Sequence, residues 1–201
     1  MKKNPNNTSK QKIQIEAFKL FAAKSLNEIT FSDLEKATGL SRGAILYHFK
    51  TKEQIFLTIV DQFVTSKKNN LPLIDTDKNL WGNIEDFVNA KRLQQEYFTS
   101  IGILNINRAF VYIAANAMAF SEKIIEETLR RRDKEIEYWK EILLQAIEKG
   151  EIKANLDIEL YSQLFMDIYY GYSYTCMATP NGYDIDYLLK QFYQLYVNII
   201  V

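Results

Sequence analysis

Thr30–Lys52, TFSDLEKATGLSRGAILYHFKTK, reads as two short helices around a tight turn, followed at once by the capped start of a third. Gly39 supplies the turn, because glycine takes a positive φ without a Cβ clash. Leu34, Leu40, Ile45 and Phe49 are spaced to share one small core. That is the outline of a helix-turn-helix, and it sets the reading of everything around it.

The helix over 42–49 is the one suited to a major groove. At 100° per residue, Ile45 and Phe49 fall on one side and Gly43, Ala44 and Tyr47 on the other, with Arg42 and Leu46 on one flank and His48 on the opposite one. A small outer face bearing one aromatic and one guanidinium allows close approach to a duplex. Ser41 fits the N-cap, and Thr30 with Asp33 fits a capping box for the helix before it. Thr51 with Gln54 fits a second box, which sets Lys52 at a positive helix N-terminus where a phosphate is well held.

The run Thr30, Leu34, Gly39, Leu40, Ser41, Gly43, Ile45, His48, Phe49, Lys52 resembles the DNA-binding signature of the TetR/AcrR transcriptional regulators. Ile13, Ala17, Leu20 and Phe21 extend the resemblance backwards, and Glu53 and Phe56 extend it forwards. It implies an all-α protein of about nine helices. A helix-turn-helix domain over 1–68 would precede a helical effector-binding and dimerisation domain over 69–201. It implies a dimeric regulator, a repressor released from a pseudo-palindromic operator by a small ligand. Three positions depart from the pattern: Leu46 replaces a phosphate-touching tyrosine, Glu35 a small alanine, and Ser25 a glycine. Tyr47 is the candidate to reach the phosphate that Leu46, with no hydroxyl, cannot. The expected DNA-facing set is Thr30, Ser32, Ser41, Arg42, Gly43, Ala44, Tyr47, His48 and Lys52, with Lys10 and Lys12 in reach of phosphates.

Charge distribution supports one nucleic-acid-facing end. The whole chain is neutral, yet residues 1–52 hold ten Lys and Arg against four Asp and Glu, a net of +6 that the remaining residues balance with −6. Met1–Ser9 has lysines but no apolar stretch of the signal-peptide kind, and no apolar run reaches membrane-spanning length. A soluble, cytoplasmic protein is expected. One histidine, one cysteine and no glycine-rich phosphate loop leave no constellation for an enzyme, and neither a metal nor a cofactor is expected. Cys176 reads as a small apolar helix residue.

Outside the quoted stretch, apolar spacing predicts helices over 10–24, 52–68, 81–101, 104–119, 121–149, 157–178 and 184–199. The 52–68 stripe is Phe56, Ile59, Val60, Phe63 and Val64. Gly150 stops the long helix, Asp157 caps the next, and Pro180 with Gly182 marks the last turn. In the long helix the spacing places Ile125, Leu129, Arg132, Ile136, Trp139, Leu143 and Ala146 on one stripe. A mostly apolar effector is expected against Phe98, Phe110, Met118, Arg132, Tyr138, Trp139, Phe165 and Tyr169. The last two helices are apolar on more than one face, so a four-helix dimer interface is expected through Gly171, Tyr172, Leu188, Phe192, Leu195, Tyr196 and Ile199. A helical ligand-binding or adaptor protein without DNA binding is the alternative.

Overall fold

A computed structural model describes residues 5–65 and 71–201, with side chains over 9–63 and 71–201. The expected end of the helix over 52–68, with Val64, lies outside the described side chains. Nine α-helices and no strand occur among the described residues: α1 (Pro5–Phe21), α2 (Phe31–Thr38), α3 (Arg42–His48), α4 (Lys52–Ile59), α5 (Leu80–Ser100), α6 (Ile106–Phe120), α7 (Glu122–Glu148), α8 (Ile158–Cys176) and α9 (Ile185–Val197). A π-helical turn, Val60–Thr65, continues α4. An isolated antiparallel bridge joins Ile152 to Ile200.

The chain forms two compact units, 1–69 with 108–125, and 70–107 with 126–201. In the first, fully buried Ile13, Ala17 and Phe18 of α1 meet Leu34, Ile45, Ile55 and Ile59. The Phe21 and Phe56 rings stand 4.9 Å apart, as do Phe18 and Phe63. Phe110 and Phe120 of α6 add edges to Phe18 and Phe56, each at 6.1 Å. Burying one such side chain contributes roughly 1.5–3 kcal/mol, so this aromatic seam is enough to hold the short helices α2 and α3 in place.

The second unit is built on a slab of three rings. Trp139 stacks on Phe165 at 5.0 Å and on Phe192 at 5.5 Å, and Phe87 closes the slab 4.8 Å from Trp139. Its loops are tied by side-chain amides. Asn105 Nδ2 donates to the carbonyls of Cys176, Met177 and Thr179, and Asn107 Oδ1 accepts from the Tyr183 amide at 3.0 Å. Cys176 is a buried free thiol, as its helix position suggested. Glu151 Oε2 accepts from the Leu80 amide at 2.7 Å, and Asp157 caps α8 through the Leu160 amide.

Two sequence expectations change here. In α7 the inward face is Ile124, Arg131, Glu135, Tyr138 and Ile142, while Ile125 and Leu129 are 41% and 51% exposed. Two stripes one residue apart share the well-buried second half of this helix, and sequence spacing chose the outer one for the first half. Leu188 and Phe192 of α9 and Ile199 just beyond it are fully buried. They serve this chain's own core and leave nothing for a partner. Tyr196 leans on Trp81 at 5.3 Å within the same unit.

Candidate nucleic-acid interface

Local chemistry fixes α2 and α3 before any packing is counted. Thr30 Oγ1 accepts from the Asp33 amide at 3.2 Å while Asp33 Oδ2 accepts from the Thr30 amide at 2.8 Å, a complete capping box. The Thr30 hydroxyl, donating to Asp33 Oδ2 at 2.7 Å, and then the Thr30 amide hold the Asp33 carboxyl below its ordinary value, so it stays ionised. Gly39 ends α2 in the left-handed region, φ 64° and ψ 16°, and its amide donates to Glu35 O at 2.8 Å. Thr38, fully buried, donates to Leu34 O and accepts from the Leu40 amide, so the turn carries no stranded polar group. Leu40 itself is only half-buried.

Helix α3 then starts at Ser41, whose Oγ accepts from the Ala44 amide at 3.3 Å, and ends with Phe49 as an extended C-cap. Glu35 has a role that sequence alone did not show. Its Oε1 accepts from the Arg42 amide at 2.7 Å, so the carboxylate supplies a second cap to α3. The Arg42 guanidinium lies 5.0 Å from the centroid of the Phe31 ring. Ile45 and Phe49 face the core and Tyr47 points outward, 68% exposed, with its ring edge on His48 at 5.0 Å. Nothing lies within 4 Å of a Cβ built on Gly43, so the outer face of α3 is open.

The second expected box closes differently. Thr51 Oγ1 accepts from the Gln54 amide at 3.1 Å, but Gln54 Oε1 reaches back to the Lys50 amide at 2.7 Å, one residue before the cap. Lys52 Nζ donates to Leu26 O at 2.8 Å and Ile29 O at 3.1 Å. The ammonium therefore ties down the loop between α1 and α2, and one N–H is left for a phosphate. Lys10 Nζ lies 5.7 Å from the Phe49 ring. Thr30, Ser32, Ser41, Arg42, Gly43 and Tyr47 are exposed, and Ala44 and His48 are half-exposed. Thus α2 with its cap, the turn and α3 bring together eight of the nine residues expected to face DNA, and the ninth, Lys52, opens α4.

The eight expected effector contacts are divided between the two units. Phe110 and Met118 belong to the first unit, whereas Phe98, Tyr138, Trp139, Phe165 and Tyr169 belong to the second. Arg132 is solvent-facing and pairs with Asp133 at 3.9 Å and Gln163 at 3.4 Å. The inward cation is Arg131: its Nη2 donates to Tyr170 Oη at 3.2 Å, and that hydroxyl donates to Glu135 Oε2 at 2.9 Å. Lys91 was missed altogether. It is 5% exposed, and its Nζ stands 4.6 Å from the Phe87 centroid and 4.5 Å from that of Tyr169. Burial pushes this ammonium down to about 8, against a smaller upward pull from Glu135. A signal existed: Lys91 continues the α5 core stripe of Ile84, Phe87 and Val88, a register that charged residues rarely occupy.

An all-helical chain with a capped helix-turn-helix, an open recognition face and a basic amino-terminal end is a DNA-binding regulator. The family model "Bacterial regulatory proteins, tetR family" matches residues 16–59. Residues 16–59 therefore carry the DNA-binding domain of the TetR family of bacterial regulatory proteins. A transcriptional regulator of Bacillus subtilis, YerO, is 27% identical over 96 residues, spanning 42% of this chain and a third (33%) of that protein. The transcriptional repressor BepR of Brucella suis is 21% identical over 187 residues, 88% of this chain and 84% of BepR. In fold, the chain is similar to the TetR family regulator PfmR of Thermus thermophilus, with a TM-score of 0.61 at 22% identity over 92% of this chain and 97% of that one. No helix among the described residues is long and apolar enough to cross a membrane.

Proposed function

We propose that this regulator is a homodimeric repressor whose two α3 helices enter successive major grooves of a pseudo-palindromic operator, and which a small molecule bound in the second unit releases. DNA reading falls to residues 1–68, and effector binding and pairing fall to 69–201. The observation that carries the reading is α3 itself. It is capped twice at its start, holds Ile45 and Phe49 in the core, and presents Arg42, Gly43, Ala44 and Tyr47 outward. Arg42 and Tyr47 would meet base edges, Ala44 base methyls, and Thr30, Ser32, Ser41 and His48 the phosphates. Pairing is supported by an outward stripe on α8, Leu160, Leu164, Gly171 and Tyr174, with Tyr187 of α9 beside Tyr172. This stripe replaces the inward-facing Leu188, Phe192 and Ile199.

The test is selection of bound sites from random duplexes, followed by binding of the enriched site by Arg42→Ala. The expected result is an inverted repeat with half-sites one helical turn apart, and a loss of sequence preference in the variant. Failure to enrich any site would favour a helical adaptor that has lost DNA binding, a reading to which Leu46 and the Glu35 carboxylate at the start of α3 give some support.

A further inference from the structure

The second unit encloses more polar chemistry than its packing uses. Lys91 makes no hydrogen bond and no ion pair with any described residue, and only two aromatic faces attend its ammonium. Glu135 is 4% exposed, and its Oε1 is buried without a partner, as is the hydroxyl of Tyr138. Lys91 of α5 and Tyr183 of the turn before α9 meet at Tyr169, 4.5 Å and 6.2 Å from its ring, while Tyr138 of α7 lies 6.3 Å from Phe87 and Glu135 of α7 is bonded to Tyr170. The Tyr170 hydroxyl joins Arg131 to Glu135, which leaves Lys91 as the charge with no counter-ion in contact. An ammonium withdrawn from water with idle N–H donors is unfavourable, and the neighbouring rings offset only part of that.

We propose that this interior recognises an amphiphilic organic monoanion, a carboxylate on an apolar or aromatic body. The carboxylate sits on the Lys91 ammonium, the body lies along Phe87 and Tyr169, and the unpartnered hydroxyl of Tyr138 supplies a further donor. A carboxylate would give the Lys91 ammonium the counter-ion that no described residue places in contact with it. A neutral apolar molecule would leave the Lys91 N–H groups as idle as before, and a cation would add to the repulsion from Lys91 and Arg131. This assignment rests on the reading that the second unit is where this regulator takes a small molecule, and it names the chemistry of that molecule.

The experiment is calorimetric titration of the full chain at pH 7 with sodium octanoate and sodium 4-phenylbutyrate, each against its alcohol, 1-octanol and 4-phenylbutanol. Each acid should bind at least about tenfold tighter than its alcohol, the worth of one charge-assisted hydrogen bond. Lys91→Met should erase that preference and leave the alcohols unchanged, because an apolar residue of similar length keeps the core filled. Lys134→Met, an exposed lysine on α7, should change nothing. Glu135→Gln should tighten the acids by removing the competing carboxylate. Equal binding of acid and alcohol, no binding of either acid, or an undiminished preference in Lys91→Met would each overturn the proposal. Operator binding is followed in parallel by fluorescence anisotropy. Acids that bind without releasing DNA would sink the effector reading and spare the assignment, whereas release by the alcohols alone would do the reverse.

Discussion

Lys91→Met should make this protein more stable, and the gain should depend on pH in a defined way. Burial lowers the ammonium from its ordinary 10.5 to about 8, and at 1.36 kcal/mol per unit that gap is worth about 3 kcal/mol against folding. Methionine removes this penalty and also the attraction of the cation to the Phe87 and Tyr169 faces, worth roughly 1 kcal/mol, so the net gain at pH 7 is about 2 kcal/mol. For a chain of this size that raises Tm by roughly 4–8 °C.

The sign with pH follows from proton counting. Below about 8 the lysine is charged in both states and its full penalty is present. Between about 8 and 10.5 the unfolded chain keeps the proton that the folded chain has lost, so stability of the parent protein rises with pH. From about 10 the slope reverses. Burial pushes the phenols of Tyr138, Tyr169, Tyr170 and Tyr183 upward, Tyr170 to about 12, so they stay protonated when folded but ionise when unfolded. Around Lys91 itself the charged neighbours are Glu135 and Arg131 of α7, which act on it in opposite directions. Urea unfolding followed by Trp81 and Trp139 fluorescence at pH 7, 8, 9 and 10 gives the curve. The parent should climb between pH 8 and 10, whereas Lys91→Met should be flat to pH 9 and turn down by pH 10, where the tyrosines act on both proteins alike. A variant less stable than the parent at pH 7, or one with the parent's slope, would show that Lys91 is satisfied inside the fold and would refute this reasoning.

Three further outcomes follow from the reading head. Gly39→Ala places a Cβ on a residue at φ 64° and should cost about 1 kcal/mol in urea unfolding, with DNA affinity falling as α3 loses its orientation. Glu35→Gln keeps an acceptor for the Arg42 amide and removes a negative charge from the start of α3, so affinity for the selected site should rise a few-fold at unchanged stability, most clearly at low salt. Lys52→Met cuts both bonds to the Leu26 and Ile29 carbonyls; it should lower stability by about 2 kcal/mol and weaken binding on all sequences alike, which anisotropy on specific and scrambled duplexes would register.

The helix-turn-helix was legible because its determinants are local. A capping box spans three residues, and Gly39 needs a positive φ for reasons contained in its own turn. Helices α5 to α9 were legible as helices for the same reason. Their facing was less so. On α7, spacing allowed Ile125–Leu129–Arg132 or Ile124–Arg131–Glu135 to turn inward, and the choice was made by α8, through Tyr170 meeting Arg131 and Glu135 across 39 and 35 residues of sequence. On α9, an apolar residue serves equally well in its own core or against a second copy. Leu188 and Phe192 went to the core because the Trp139 slab needed a third ring. Lys91 could have been flagged from its register, but the depth of its burial depends on two rings, one of them on a different helix.

Glu35 shows how a departure from a family pattern becomes intelligible once its hydrogen bond is known. At that position an alanine would pack and nothing more; the glutamate instead accepts from the first amide of α3 while the Arg42 side chain rests on Phe31. The same residue is thus held at both ends in the free protein, its amide by a carboxylate and its guanidinium by a ring. For Arg42 to reach a guanine edge it must leave Phe31, giving up roughly 0.5–1 kcal/mol against the 1–3 kcal/mol that a bidentate base contact supplies. The balance still favours the duplex, but narrowly on a mismatched base. If Arg42 reads a base as proposed, parking it on Phe31 would lower affinity for every sequence by the same amount, and only sequences that offer the full bidentate contact would recover it with a clear surplus.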